Sequence, residues 1–275
     1  MRWLFPRLEV LAPALAHRLF VRLFFTPFRY TRPKKEEHFY QSAERFHCVA
    51  AGKTIQCYSW GDQSREVVWV VHGWAGRATQ FRKFIPPLID AGFRVVGFDG
   101  PAHGDSEGRR TNILEFEEAL RKLHEQTGPP RAVICHSFGG VALLYAMSKG
   151  LHVSHLINVA SPTLGDEVIA TYLRALNTSP ATGAAFKKWL FDRYGKTFDE
   201  FSGLHLIQQI GYPFSLLLVY DEDDQEVTIA HAHALRQVFP SAQLLQTQGL
   251  GHNRVLKDDE VVETCLRFIN SPAKT

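Results

Sequence analysis

A serine, a cluster of carboxylates and a histidine, far apart along the chain, are the residues whose types could do covalent chemistry. Ser137 stands between a run of strand character, Arg131 to Cys135, and a helix-forming run, Gly139 to Met147. A serine at such a junction is either a helix N-cap that satisfies an orphan amide or a nucleophile held on a tight strand-to-helix turn. The local sequence leaves both open. The carboxylates lie in Asp221-Glu222-Asp223-Asp224-Gln225-Glu226-Val227, and the histidine in Gly249-Leu250-Gly251-His252. A serine hydroxyl is a weak nucleophile until an adjacent base takes its proton. An imidazole in that role needs an acid to hold its tautomer and to stabilise its charged form. Of the thirteen histidines, only His252 follows the last apolar run within a Gly-x-Gly turn.

Residues so far apart in sequence need a sheet edge to bring them together. "FHCVAAGKTIQCYSW" (46–60) predicts two strands joined at 51–53, and "EVVWVVHG" (66–73) and "FRVVGFDG" (93–100) are Val-rich runs of strands buried on both faces. Further strands are predicted at 131–135, 155–161, 214–221 and 242–249. Helical patterns fall at 79–92, 113–128, 139–147 and 258–269. This alternation predicts an α/β fold with a mostly parallel central sheet and helices on both faces. Ligands bind such sheets outside the carboxyl ends of the strands. Ser137, the acidic turn and His252 all fall there, as do "HGWAG" (72–76) and "DGPAHGDS" (99–106). One interval breaks the rhythm: residues 162–212 exceed what a crossover needs. They are predicted to be a helical cap insertion over the binding edge, rich in aromatics and in Lys and Arg.

The chain from about Phe46 to the C-terminus resembles an α/β-hydrolase. The nucleophile elbow of that superfamily is G-x-S-x-G, and here it reads Cys135-His136-Ser137-Phe138-Gly139, with the first glycine replaced by cysteine. The resemblance implies Ser137 as nucleophile, His252 as base and a carboxylate from the acidic turn as its partner. The family pattern H-[GD]-x-x-D-x-x-V, laid on residues 220–227, places that carboxylate at Asp224, with Asp223 second. The neighbouring acids read as solvated turn residues. The backbone amides of Trp74 and Phe138 are the implied oxyanion donors. His72 is expected to bond to backbone, and His103, Asp99 and Asp105 to be turn and cap residues. The implied activity is hydrolysis of a small-molecule carboxylic ester or thioester through an acyl-enzyme, with no metal and no organic cofactor required. Acyl transfer, amide or carbon–carbon hydrolysis, and a non-catalytic signal-binding regulator are the alternatives. The cap aromatics suit an apolar acyl chain, while Lys187, Lys188 and Arg193 would admit an anionic head.

Composition narrows the partners. The net charge of +3 and the absence of basic runs interleaved with aromatics argue against nucleic acid. His231 and His233, two apart, do not share a helix face and make a poor metal pair. Cys48, Cys57, Cys135 and Cys265 lack zinc spacing and are too few for a disulfide scaffold, so reduced thiols in the cytoplasm are the expectation.

Residues 1–45 form a separate basic segment ahead of a hydrolase-like domain at 46–275. The first 35 residues carry eight Lys/Arg against one acid. Charges interrupt any window of the ~20 residues a spanning helix needs, and no signal-peptide cleavage pattern follows. Residues 13–27 are predicted to be one amphipathic helix. Its broad apolar face holds Leu15, Leu19, Phe20, Leu23 and Phe24, opposite Arg18 and Arg22. Packing against the protein's own body is the first expectation for this helix. A peripheral membrane contact and a dimer contact are the others.

Overall fold

The computed structural model describes residues 3–272. Eight strands form one sheet in the order β1-β2-β4-β3-β5-β6-β7-β8. They are β1 Glu44–Ala50, β2 Lys53–Trp60, β3 Val67–Val71, β4 Arg94–Phe98, β5 Ala132–His136, β6 His155–Val159, β7 Ser215–Asp221 and β8 Gln243–Thr247. The pairs β1–β2 and β2–β4 are antiparallel, and every pair from β4 to β8 is parallel. The twelve helices among the described residues are α1 Leu4–Leu11, α2 Pro13–Phe24, α3 Lys34–Ser42, α4 Ile85–Asp90, α5 Ile113–Thr127, α6 Phe138–Ser148, α7 Gly165–Leu176, α8 Pro180–Tyr194, α9 Gly203–Ile207, α10 Ala230–Val238, α11 Gly251–Arg254 and α12 Asp259–Ile269.

The central strands are apolar on both sides because helices cover both faces of the sheet. Along β3, Trp69 and Val71 enter one core with Phe116, Leu120 and Leu143, while Val68 and Val70 enter the other with Phe84, Leu88 and Val261. The period of two in a strand produces this division. Helix α5 shows how local signals set boundaries. Asn112 caps it by accepting from the amides of Leu114 and Glu115 at 2.9 and 3.1 Å, and Gly128 ends it at φ 75°.

Two sequence expectations change in detail. The single helix at 79–92 is a 3-10 turn, Ala78–Phe81, followed by the short α4, because Pro86 and Pro87 donate no amide hydrogen and are accommodated only in a first turn. The helix predicted at 13–27 is α2, ending at Phe24, and an unpredicted helix, α1, precedes it across Ala12, which lies at φ −151° and ψ 66°. Apart from Leu15, which is exposed, the apolar face predicted on α2 packs inward. Phe5 and Phe20 are buried with Ile169, Phe186 and Leu190, and Leu19, Leu23 and Phe24 pack around them. This third core joins the N-terminal helices to α7 and α8, in the insertion between β6 and β7. Glu9 adds a polar anchor, accepting from the amide and hydroxyl of Ser179 and the hydroxyl of Thr182. Beyond α2, Arg29 donates to the carbonyls of Ala102 and Ser106, and Arg32 pairs with Asp105 at 2.6 Å. The segment is therefore tied to the loop after β4 as well as to the insertion. No described helix is long and apolar enough to cross a membrane.

Candidate active site

Ser137 sits at the β5–α6 junction with φ 50° and ψ −126°. A non-glycine residue at positive φ is strained, and such strain persists only where the surroundings impose it. Here the amide of Ser137 donates to Val159 O at 2.9 Å, and its carbonyl accepts from Gly140 N at 3.0 Å and Ser161 Oγ at 2.9 Å. The turn is also too tight for side chains beneath it. A Cβ at Gly139 would lie 2.5 Å from Val71 O, and one at Gly73 would lie 2.7 Å from the Ser137 Cβ. Cys135 stands where the elbow pattern has glycine, and its side chain is fully buried in the core on the α5–α6 side. Burial there raises its thiol pKa well above the ordinary value.

His252 lies on α11, in the loop after β8. Its Nδ1 is 2.8 Å from Asp224 Oδ2, while Asp224 Oδ1 accepts from the amides of Glu226 and Val227 at 2.8 and 2.9 Å. Burial alone would raise the Asp224 pKa. The hydrogen bond and charge of His252, together with the two amides, more than offset it and hold the pKa below the ordinary carboxylate value. With Nδ1–H engaged, Nε2 is the ring nitrogen left to accept a proton. Nε2 is 3.9 Å from the exposed Glu226 carboxylate. Among the described residues no hydrogen bond joins Ser137 Oγ to His252, but both line one cavity.

Of the two acids weighed for this position, Asp224 meets the imidazole; Asp223 accepts instead from Gly249 N at 2.9 Å. The neighbouring acids are not all solvated turn residues. Asp221 is 1% exposed and accepts from Leu250 N, Gly251 N, Thr247 Oγ1 and Asp223 N at 2.8–3.0 Å. It fastens the loop that carries His252, and those bonds outweigh desolvation and lower its pKa.

His136 stands at the first x of the elbow pattern G-x-S-x-G. Its Nε2 donates to His252 O at 2.8 Å, and its Nδ1 faces Gln80 Nε2 at 3.3 Å. Burial, with the nearby charge of His252, pushes its pKa down to about 3, so it stays neutral. His72 bonds to backbone on both sides: Nδ1 is 2.7 Å from Gly73 O, and Nε2 accepts from Gly100 N at 2.8 Å. It bridges the loops after β3 and β4. Asp99, fully buried, accepts from Tyr58 Oη and the amides of Ala78 and Asp105 at 2.9 Å. His103 is buried and bonds to Pro101 O.

Trp74 and Phe138 flank the serine from the loop after β3 and the first turn of α6. Among the described residues neither backbone amide donates to a protein acceptor. Their rings meet edge to face at 5.3 Å. The cavity, about 600 Å³, is lined mostly by apolar side chains from three places: the end of α2 (Phe24, Phe25), the insertion (Leu164, Tyr172, Phe198) and the sheet edge. Lys187, Lys188 and Arg193, expected to admit an anionic head, are not among the residues that line it; Lys187 and Lys188 pair instead with Asp166 and Asp192 at 2.5 and 2.9 Å. His231 is buried and accepts from Thr163 N at 2.8 Å, latching the start of the insertion, while His233 is exposed on another side of α10.

A family model described as "alpha/beta hydrolase fold" matches residues 66–195. Human monoglyceride lipase is 24% identical over 142 residues, and the chain spans 47% of that relative's length. Among solved structures, an esterase of Pyrococcus furiosus is 19% identical with a TM-score of 0.65, covering 89% of this chain and 95% of its own. A membrane phospholipase A described as a bacterial virulence factor is 14% identical with a TM-score of 0.65, covering 98% of both chains. The likeness to these structures is one of fold, a mostly parallel sheet flanked by helices. Residues 66–195 thus match the family model, and the chain as a whole has the α/β-hydrolase fold.

Proposed function

We propose that the protein hydrolyses carboxylic esters or thioesters through a covalent acyl-enzyme. The Asp224–His252 hydrogen bond, opening on the same apolar cavity as the strained Ser137, carries this reading. Ser137 Oγ attacks the acyl carbon while His252 Nε2 takes its proton. The carbonyl oxygen gains negative charge, and the amides of Trp74 and Phe138 are the donors for it. His252 then returns the proton to the departing alcohol or thiol as the carbon–oxygen or carbon–sulfur bond breaks. Water, deprotonated by the same imidazole, releases the acid and restores the serine. Asp224 keeps Nδ1 protonated and stabilises the imidazolium throughout. The insertion acts as a cap whose aromatic side chains receive an apolar acyl chain. The relatives support an ester substrate: one is a monoglyceride lipase and another an esterase.

The test is turnover of p-nitrophenyl esters of increasing chain length by wild type and Ser137→Ala, alongside labelling by a fluorophosphonate probe. Wild type should turn over and be labelled. The variant should lose roughly 10⁴-fold or more in kcat and escape labelling. Absence of both turnover and labelling in wild type would overturn the proposal in favour of a ligand-binding protein. Faster acyl transfer to an added alcohol than to water would move it to a transferase.

A further inference from the structure

The inward face of the N-terminal helix pair is spent on the insertion, and its outward face is not. Trp3, Val10, Leu11 and Leu15 are 70, 80, 81 and 54% exposed, although large apolar side chains of this kind usually find cover. They cluster at the start of α1 and at the α1–α2 turn. The outward side of α2 continues with Arg18 and Arg22, both exposed and one turn apart, as i, i+4 neighbours are. Arg7 lies over the Trp3 ring at 3.6 Å. The only acid in this stretch, Glu9, is turned inward and bonded to Ser179 and Thr182, so the outward charge is wholly positive.

We infer that the outer face of α1 and α2 docks the protein on an anionic phospholipid surface. Of the apolar face the sequence suggested, Leu15 alone takes part. Phe20, Leu23 and Phe24 hold the insertion, while Trp3, Val10, Leu11 and Leu15 are the ones free to enter the acyl boundary. An interfacial helix of this kind combines buried apolar side chains with basic residues at headgroup level, and its binding depends on both. A second copy of the chain fits the face less well, because self-association would bring arginine against arginine with no outward acid to pair them. The location also serves the site. Phe24 and Phe25, at the far end of α2, wall the Ser137 cavity, about 18 Å along the helix from the turn at ~1.5 Å per residue. The bilayer contact and the cavity are thus two ends of one rigid element. This inference does not depend on the ester chemistry.

The experiment is co-sedimentation of the full chain with phosphatidylcholine vesicles, with and without phosphatidylglycerol, at low and high salt. Three proteins are compared: wild type, Val10→Asp/Leu11→Asp and Arg18→Glu/Arg22→Glu. Hydrolysis of p-nitrophenyl acetate, or thermal melting should that activity be absent, reports that the variants fold. Wild type should bind the anionic vesicles and be released by salt. The arginine variant should weaken binding roughly thirtyfold, and the apolar variant should lose it with folding intact. Equal sedimentation of all three with the vesicles would overturn the inference. So would no vesicle binding by wild type together with a dimer that the apolar variant dissociates.

Discussion

The floor and the roof of the cavity are held by different forces. The floor, at the ends of β5, β7 and β8, is fixed by directed bonds. Asp221 accepts four hydrogen bonds, Asp224 three, and His136 donates to the carbonyl of His252. The roof, formed by the insertion and the end of α2, is held mainly by aromatic packing. Phe24 lies 4.5 Å from Phe186 and 4.6 Å from Tyr172 between ring centroids, and Phe20 lies 5.2 Å from Phe186. Hydrogen bonds fix angles, which a proton-transfer chain needs. Apolar contacts fix volume and tolerate sliding, which suits acyl chains of different lengths. Substitutions in the floor should therefore change the rate for every substrate, and substitutions in the roof should change which substrate is preferred.

The largest break in this contrast is Asp224→Asn. It is nearly isosteric, yet it can donate where the carboxylate accepted and so favours the wrong tautomer of His252. The kcat should fall roughly 10⁴-fold by the same factor for short and long esters, with the thermal midpoint little changed. A loss confined to long esters would contradict the assignment of the residue to the floor. Next is Gly139→Ala. The added Cβ would face the carbonyl oxygens of Val71 and His72 at 2.5 and 2.6 Å, backbone that cannot swing aside. Overpacking of this kind costs about 3 kcal/mol, readable as a shift in urea midpoint, and it should distort the elbow enough to slow all esters together.

A third prediction concerns pH. His136 is held neutral, with its pKa lowered from 6.5 to about 3. Below pH 6.5 the unfolded chain binds a proton that the native state refuses, so stability falls as the pH drops from 6.5 towards 3. The slope from this one group reaches at most about 1.4 kcal/mol per pH unit. Buried, neutral His72 and His103 add the same sign. Urea midpoints of His136→Gln should depend less steeply on pH between 5 and 6.5 than those of wild type. Parallel curves would show that His136 does not contribute.

What the sequence reveals follows the same division. Strands β3 to β7 are legible because a strand covered on both faces must be a short β-branched run, and the order of Ser137, Asp224 and His252 along the sheet edge follows from them. Asp221 is not legible in this way. Its value lies in the amides of Leu250 and Gly251, which reach it only when β7 and β8 pair, and in isolation it reads as one more acid in an acidic turn. His136 is hidden for the same reason, since its partner is a carbonyl 116 residues away. Helix α1 escapes because it is apolar on several sides and carries Pro6 in its first turn, which leaves no clean period. The break at Pro86-Pro87 was legible in principle, since proline supplies no amide.

The smallest effect sharpens the contrast most, because it should leave the chemistry alone. Phe24 lines the cavity from the end of α2 and packs against Phe186, Tyr172 and Phe198, but it touches none of the groups proposed to move protons. Phe24→Ala removes apolar surface from the roof at a position that partly faces the cavity. Differences of one methylene in such a pocket are worth about 1–3 kcal/mol, and loss of a ring on one wall should fall near the lower end. The kcat/KM for long-chain esters should drop roughly tenfold, mostly through KM, while that for acetate stays within about twofold. The rate optimum would then move along the chain-length series without a change in the acetate rate. A uniform loss across the series would mean that the roof also sets the geometry of the floor, and that the two regions are mechanically one.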